Sequence, residues 1–217
     1  MVNPNIHGSI EVVCGSMFSG KTEELLRRIK RAQISRLKVQ VFKPQLDVRF
    51  SADHVQSHDS NRVLSIPVLN AREILNCIDD ATRVVGIDEA QFFDDAVVEV
   101  AQKLAYRGIR VIIAGLDMDF RAEPFGPMPK LLAIAEQVTK LSAVCMVCGG
   151  AASRSQRIMG EVGPQAEKIA LGANESYEPR CRFCHEPHSM GVATKPGIVA
   201  SNPIIYSAER SSNGSPV

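Results

Sequence analysis

Short apolar runs alternate with amphipathic stretches through about the first 140 residues of the chain. Runs rich in Val and Ile predict β-strands at Ile10–Cys14, Lys38–Phe42, Val63–Ile66, Arg83–Ile87, Ile109–Ala114 and Gln137–Leu141. Apolar positions at helical spacing predict helices at Lys21–Ile34, Ala71–Ile78, Ala96–Tyr106 and Met128–Ala135. This alternation is typical of an α/β fold in which helices cover both faces of a parallel sheet.

The pattern changes after Leu141. Helical periodicity fades, glycines become frequent, and two CxxC pairs appear. We therefore expect an α/β domain over residues 1–141 and a small module over residues 142–193. The remaining residues, 194–217, form a polar tail that we expect to be partly flexible.

One loop between a predicted strand and a predicted helix carries a phosphate-binding pattern. Residues Gly15–Thr22 match GxxxxGK[ST] at every fixed position. Its glycines let successive main-chain N–H groups turn toward a phosphate, and the next helix directs its positive end at the same point. Lys21 can reach the β- and γ-phosphates, and the Thr22 hydroxyl can bind Mg²⁺. An ordinary glycine-rich turn is the alternative, but it would not need a strand directly before it and a helix directly after it. The pattern therefore predicts a nucleoside triphosphate site in a P-loop NTPase-like domain.

Two carboxylates follow the most apolar of the predicted strands. Asp88 and Glu89 come directly after Ile87. Asp88 is placed to hold Mg²⁺ through a bound water, and Glu89 can act as a general base. A water molecule as acceptor would make the protein an ATPase, and a substrate hydroxyl would make it a kinase. The pair alone leaves both chemistries open, as well as a plain role in capping the next helix.

The cysteines form a second group with its own chemistry. The two CxxC pairs are Cys145, Cys148, Cys181 and Cys184. Two such pairs complete a tetrahedral zinc site without an open position, so we expect a structural zinc ribbon that holds the base of the intervening loop. His185 and His188 are near enough to bind a metal, but four cysteines already saturate it. Redox-active dithiols are the alternative, although neither pair stands at a helix start. Cys14 and Cys77 are expected to be core thiols.

Composition narrows the classes of function. The chain has 217 residues, 45% of them hydrophobic, and a formal net charge of +1. A protein that mainly binds nucleic-acid phosphates would carry a stronger positive charge, so a small-molecule substrate is favoured. Neither a signal peptide nor an apolar run near the roughly 18 residues of a membrane helix is visible. We expect a cytoplasmic protein that binds neither a membrane nor nucleic acid stably.

In combination, these motifs resemble the type II thymidine kinases, the cytosolic, tetrameric enzymes of many bacteria and of animals. The resemblance covers about residues 8–190. It rests on the loop Gly15–Thr22 with Met17-Phe18 inside it, on Asp88-Glu89-Ala90-Gln91-Phe92-Phe93, on Leu116-Asp117 followed by Phe120 and Pro124-Phe125-Gly126, and on the paired CxxC motifs.

The resemblance implies an activity and roles for particular residues. The activity is transfer of the ATP γ-phosphate to the 5′-hydroxyl of thymidine or deoxyuridine, with Mg²⁺, in nucleoside salvage. Glu89 is implied to accept the hydroxyl proton, and Asp47 and Arg49 are implied to lie near the metal and the reacting phosphate. The implied ATP-binding residues are Gly15, Ser16, Met17, Phe18, Ser19, Gly20, Lys21, Thr22, Asp88 and Gln91. A homotetramer and feedback inhibition by dTTP are implied as well.

The nucleoside site is implied by the same resemblance. Its apolar walls around thymine would be Met17, Phe93, Leu116, Phe120 and Phe125, and plain core packing is the alternative for each. The loop between the CxxC pairs resembles the family's lasso, which closes over the nucleoside and reads the base largely through main-chain groups. The positions that face the substrate would be Ser155, Lys168, Ile169, Ala170, Leu171, Gly172 and Tyr177. Ala173 replaces the second glycine usual in the family, which affects the path of the loop.

Two other functions stay open. A P-loop ATPase could use a zinc ribbon to engage nucleic acid, and Asp88-Glu89-Ala90-Gln91 resembles a helicase motif. The near-zero net charge, the short chain and the lack of a second helicase-like domain disfavour it. A regulatory nucleotide-binding module without catalysis is disfavoured by Glu89, which such a module would not need.

Overall fold

A parallel sheet forms the centre of the molecule. The computed structural model describes residues 7–45, 64–158 and 176–186. The strands of the central sheet are β1 (Ser9–Gly15), β2 (Lys38–Pro44), β3 (Ser65–Val68), β4 (Thr82–Ile87), β5 (Arg110–Gly115) and β6 (Gln137–Leu141). Their order is β3-β2-β4-β5-β1-β6, and each neighbouring pair is parallel. The predicted α/β fold is confirmed, with strand limits that differ from the prediction by one or two residues at most ends.

Helices cover both faces of this sheet. Those of the described residues are α1 (Lys21–Ile34), α2 (Ala71–Cys77), α3 (Ala96–Tyr106) and α4 (Met128–Ile134). Helix α1 packs Leu25 and Ile29 on one face, whereas α2, α3 and α4 share a larger apolar cluster on the other face. Since side chains on both faces are buried, the central strands are almost entirely apolar, as their sequences predicted.

Helix α1 approaches the sheet closely because of a glycine in β4. A Cβ added at Gly86 would lie 2.8 Å from Cδ1 of Ile29 and 3.4 Å from both γ-carbons of Val41. A larger residue at this position would therefore force the Ile29 side chain of α1 to repack. This contact matters for the site, because the N-terminus of α1 carries Lys21.

An ion network inside the fold joins α1 to three strands. Glu11 of β1 accepts hydrogen bonds from Arg110 Nε at 2.5 Å and from Arg28 Nη1 at 2.7 Å. Arg28 also donates to Thr139 Oγ1 of β6 at 2.8 Å. Burial alone would raise the pKa of Glu11, but the two guanidinium groups lower it below its ordinary value. The charge is thus fully paired, as a buried carboxylate requires.

The chain after β6 leaves the central sheet. It forms two small antiparallel pairs, β7 (Ala143–Val144) with β8 (Ala151–Ala152) and β9 (Arg154–Arg157) with β10 (Tyr177–Arg180). The change in texture after Leu141 is thus matched by a change in architecture, while the domain limits stay a prediction. None of the helices in the described ranges has both the length and the apolar character needed to span a membrane.

Candidate active site

The phosphate loop begins where β1 ends, at a residue that must be glycine. Gly15 has φ of 144°, and a Cβ there would lie 2.4 Å from the carbonyl oxygen of Leu141 on β6. The chain then turns over the end of the sheet and enters α1 at Lys21, after Gly20 with φ of 83°. The predicted strand–loop–helix context is therefore present around Gly15–Thr22.

The lysine of this loop lies across its mouth. Lys21 Nζ and Ser19 Oγ each donate a hydrogen bond to the carbonyl oxygen of Ser16, both at 2.8 Å. Burial lowers the pKa of Lys21, while the carboxylates of Glu89 and Asp88 oppose that shift. The ammonium group of Lys21 is therefore near the carboxylates of Glu89 and Asp88. A bound phosphate would replace the carbonyl oxygen of Ser16 as the partner of Lys21.

Asp88 and Thr22 form an oxygen-rich pair beside that lysine. Thr22 Oγ1 donates to Asp88 Oδ2 at 3.2 Å. Burial, followed by the nearby charge of Glu89, raises the pKa of Asp88 to about 6. An anion that is destabilised in this way gains from a cation beside it, and a hydroxyl with a carboxylate is a donor set that suits Mg²⁺.

Glu89 adopts an unusual backbone conformation. Its φ of 52° and ψ of 40° lie in the left-handed region, which costs a non-glycine residue about 1 kcal/mol or more. Its side chain makes no capping hydrogen bond to the short 3₁₀ turn Ala90–Phe92 that follows. The alternative in which the Glu89 side chain only caps the following helical turn is therefore not supported. Instead, the carboxylate accepts a hydrogen bond from Gln91 Nε2 at 2.5 Å.

Gln91 connects Glu89 to the end of β5. Its side chain is buried, and its Oε1 accepts the main-chain N–H of Leu116 at 2.9 Å. The family resemblance implies that Gln91 binds ATP, and in the structure its side chain contacts Glu89 and the main chain of Leu116, directly after β5. No pattern in the sequence signals this link, because Gln91 and Leu116 lie on different strands' loops.

The loop after β5 is held by a buried aspartate. Asp119 Oδ1 accepts the N–H groups of Arg121 at 2.9 Å and of Glu123 at 3.1 Å. Its neighbour Asp117 pairs with Lys140 of β6 at 2.6 Å. These contacts hold the loop that carries Phe120, which lies close to the small module. Only 2% of the surface of Phe120 is exposed.

The five predicted wall residues divide into three groups. Phe93 is 6% exposed and packs in the main core cluster with α3, so its position also satisfies the core-packing alternative. Phe120 and Phe125 are buried outside that cluster, and the rings of Phe92 and Phe125 meet edge to face at 5.6 Å. Met17 and Leu116 are partly exposed at the end of the sheet. A role of any of them against thymine stays a prediction.

The four predicted zinc ligands come together. The sulfur atoms of Cys145, Cys148, Cys181 and Cys184 all lie within 4.8 Å of one another. Four thiolates this close repel one another, so all four can be charged only with a cation between them. The donor set fits zinc, which binds thiolates tetrahedrally. Of the two remaining cysteines, Cys14 is buried as expected, whereas Cys77 is exposed at the last turn of the short helix α2, so its prediction as a core thiol is wrong.

The small module contacts the phosphate loop directly. The main-chain N–H of Met17 donates to Ser155 Oγ at 3.0 Å, and Ser16 Oγ donates to the carbonyl oxygen of Ala152 at 3.2 Å. Ser155 is thus next to the loop rather than distant from it. Its neighbour on β9, Arg157, was missed by sequence reasoning.

Arg157 joins two predicted substrate residues. Its guanidinium carbon lies 3.9 Å from the ring centre of Phe120, and its Nη2 donates to Tyr177 Oη at 2.7 Å. The remaining predicted site residues lie outside the described residues; they are Asp47, Arg49, Lys168, Ile169, Ala170, Leu171 and Gly172.

A phosphate loop after the first strand of a parallel sheet, with a carboxylate pair beyond the end of β4, is the arrangement of the P-loop NTPase-like fold. Most proteins of this class lack a four-cysteine module like the one attached here, so the module restricts the choice of family. A family model described as thymidine kinase matches residues 8–185. The chain therefore belongs to the thymidine kinase family, and its general activity is that of a kinase acting on thymidine.

Proposed function

We propose that the protein transfers the γ-phosphate of ATP to the 5′-hydroxyl of thymidine, and of deoxyuridine, to form the nucleoside monophosphate. The observation that carries this proposal is the position of Glu89. Its carboxylate is held by Gln91 within reach of the charge of Lys21, at the mouth of the phosphate loop. A nucleotide sensor without catalysis would not need a fixed second carboxylate there. The choice of a nucleoside hydroxyl over water as the acceptor rests on membership of the thymidine kinase family.

The donor side of the reaction is assigned to the loop Gly15–Thr22. Main-chain N–H groups and the N-terminus of α1 would bind the phosphates, and Lys21 would contact the β- and γ-phosphate oxygens. Thr22 and Asp88 would hold Mg²⁺. Asp47 and Arg49 are implied by the family resemblance to act near the metal and the reacting phosphate, where Arg49, as a cation, would contact the phosphate. When bound, Mg²⁺ neutralises phosphate charge and orients the transferring group.

The acceptor side is assigned to Glu89. Its carboxylate takes the proton of the 5′-hydroxyl, the hydroxyl oxygen forms a bond to the γ-phosphorus, and the bond from that phosphorus to the ADP oxygen breaks. Glu89 then returns the proton to solvent. The hydrogen bond from the Gln91 amide keeps the Glu89 carboxylate from turning toward Lys21. A carboxylate paired with Lys21 would be too far from the 5′-hydroxyl to accept its proton.

The nucleoside is assigned to the junction between the two parts of the chain. Met17, Leu116, Phe120 and Phe125 would surround thymine from the sheet side. Ser155 and Tyr177, together with residues 168–172, would contact it from the lasso side. A structural zinc on the four cysteines would hold the base of that lasso.

The proposal extends to the behaviour of the enzyme in the cell. We place it in the cytoplasm, in salvage of deoxynucleosides, as a homotetramer that dTTP inhibits. This part rests on membership of the family. No observation in the described residues favours the alternative, a zinc-ribbon ATPase on nucleic acid, and the net charge of +1 speaks against it.

One assay separates the two activities. Purified protein is incubated with Mg-ATP and thymidine, deoxyuridine or deoxycytidine, and nucleoside monophosphate and ADP are quantified. We expect equal amounts of monophosphate and ADP with the first two nucleosides, and neither product from a Lys21→Ala variant. ATP hydrolysis that DNA stimulates, without any nucleoside monophosphate, would reject the kinase proposal.

A further inference from the structure

The histidine that follows the last zinc-ligand cysteine has a different partner. His185 is 2% exposed, and its Nε2 lies 2.9 Å from the carbonyl oxygen of Phe120. Within the described residues, the candidate metal group consists of the four cysteines alone. A carbonyl oxygen only accepts hydrogen bonds, so Nε2 carries the proton and donates. His185 thus points to the loop after β5 and not to the metal.

The chain around His185 is held from two sides. The main-chain N–H of His185 donates to the carbonyl oxygen of Cys181 at 3.0 Å, which closes the metal-binding turn. The next residue, Glu186, is bracketed by the buried amide of Gln156, whose Oε1 accepts its N–H at 2.8 Å and whose Nε2 donates to its carbonyl at 3.4 Å. The imidazole therefore has little freedom relative to the cysteine cluster.

Phe120 is contacted by the same module at two places. The guanidinium of Arg157 lies over its ring, and His185 binds its carbonyl oxygen. A buried carbonyl oxygen that loses its donor costs about 1–3 kcal/mol, so the loop would move to recover a partner. The ring would move with its main chain.

We propose that His185 is a positioning residue, which transmits the geometry of the four-cysteine turn to Phe120 and so sets the affinity for the nucleoside. This inference rests on the proposed function, because it takes Phe120 as a wall of the thymine site. His185 neither touches the reacting atoms nor binds the metal. Its effect should therefore fall on thymidine binding and leave ATP binding and zinc content unchanged.

The test compares three variants of the full chain. His185→Leu removes the donor at similar volume, His185→Gln can place an amide N–H near the position of Nε2, and Glu186→Gln is a neighbouring control with an exposed side chain. For His185→Leu we expect the KM for thymidine to rise roughly tenfold, with the KM for ATP, kcat and zinc content close to wild type. His185→Gln should recover most of the affinity, and Glu186→Gln should match wild type.

Two outcomes of this comparison would overturn the proposal. The first is an unchanged KM for thymidine in His185→Leu, and the second is an equal loss of both substrates together with zinc, which would mean a purely structural role. Wild-type protein that makes no thymidine monophosphate would instead reject the proposed function.

A measurement on the wild type decides the matter even if His185→Leu does not fold. NMR spectra of the histidine ring nitrogens are recorded during titration with thymidine and, separately, with Mg-ATP. We expect a protonated, hydrogen-bonded Nε2 for His185 whose resonance shifts with thymidine alone. An unprotonated Nε2, or one that does not respond to thymidine, would contradict the proposal.

Discussion

The side-chain amide of Gln91 holds the carboxylate of Glu89 at 2.5 Å, and the same amide accepts the main-chain N–H at the end of β5. Glu89 therefore has a fixed direction although its backbone lies in a conformation that is costly for a glutamate. Strain of this kind persists only where surrounding contacts enforce it, and it concentrates at functional sites. The contact between Gln91 and Glu89 therefore holds the carboxylate in the direction that the proposed reaction requires.

Replacing Glu89 by Gln should affect catalysis and not binding. The amide keeps the shape of the side chain but cannot accept the hydroxyl proton, so turnover should fall by about 10²–10⁴-fold. Steady-state rates and titration with a non-hydrolysable ATP analogue check this. Glu99→Gln, an exposed change of the same kind, serves as the control and should retain wild-type rates. Equal turnover in Glu89→Gln and wild type would exclude Glu89 as the base.

Replacing Gln91 by Leu should impair both stability and turnover. The variant leaves the N–H of Leu116 without its buried acceptor and frees Glu89, so the free energy of unfolding should fall by about 1–3 kcal/mol. Denaturant unfolding measures the first effect and the thymidine assay the second. If Gln91 instead contacts ATP only, the KM for ATP should rise while stability stays constant.

Ser155 should influence the phosphate loop. In Ser155→Ala the N–H of Met17 loses its acceptor, and we expect a loss of about 1 kcal/mol in the binding of ATP. Ser155→Thr retains the hydroxyl and is the matched control. Isothermal titration with an ATP analogue is the readout, and identical affinities for Ser155→Ala and wild type would mean that the contact does not order the loop.

Cys145 should be essential for the small module. The Cys145→Ser variant would have three thiolate ligands and one hydroxyl, which binds zinc more weakly, so it should release zinc. The free energy of metal binding that stabilises the folded module should then be lost. Metal analysis, together with thymidine titration, tests this. The exposed Cys77→Ser is the control and should keep full zinc content. A Cys145→Ser protein with full zinc and wild-type thymidine affinity would contradict a structural zinc site.

Glu24 should make stability depend on acidity. A hydrogen bond from Arg27, followed by one from Arg28, lowers the pKa of Glu24 to about 2, against an ordinary 4.5. Because the folded-state pKa is depressed, this stabilisation is present above about pH 4.5 and is lost as the pH falls toward 2.

The matching measurement compares wild type with Glu24→Gln. At neutral pH the variant should be less stable by about 1 kcal/mol, a modest value because Arg27 is largely exposed to solvent. The difference should shrink as the pH falls from 4.5 toward 2. A difference that stayed constant over that range would show that the ion pair does not contribute.

Much of this protein is determined locally. The limits of α1 and α3 and the strand β6 follow from the spacing of apolar residues, since that spacing directly sets which face is buried. The phosphate loop is equally local, because the turn at Gly15 and the N-terminus of α1 are built from consecutive residues. The spacing of the two CxxC pairs likewise predicts a metal site.

What only the tertiary structure decided are contacts between distant parts of the chain. Met17 and Ser155 are 138 residues apart, and Phe120 and His185 are 65 apart, so no local pattern relates them. The exposure of Cys77 also depended on how a short helix ends against its neighbours. The sequence by itself determined where a phosphate loop, a carboxylate pair and a cysteine cluster would occur. The packing of the small module against the sheet decided which side chains meet, because burial and long-range hydrogen bonds form only in the folded chain.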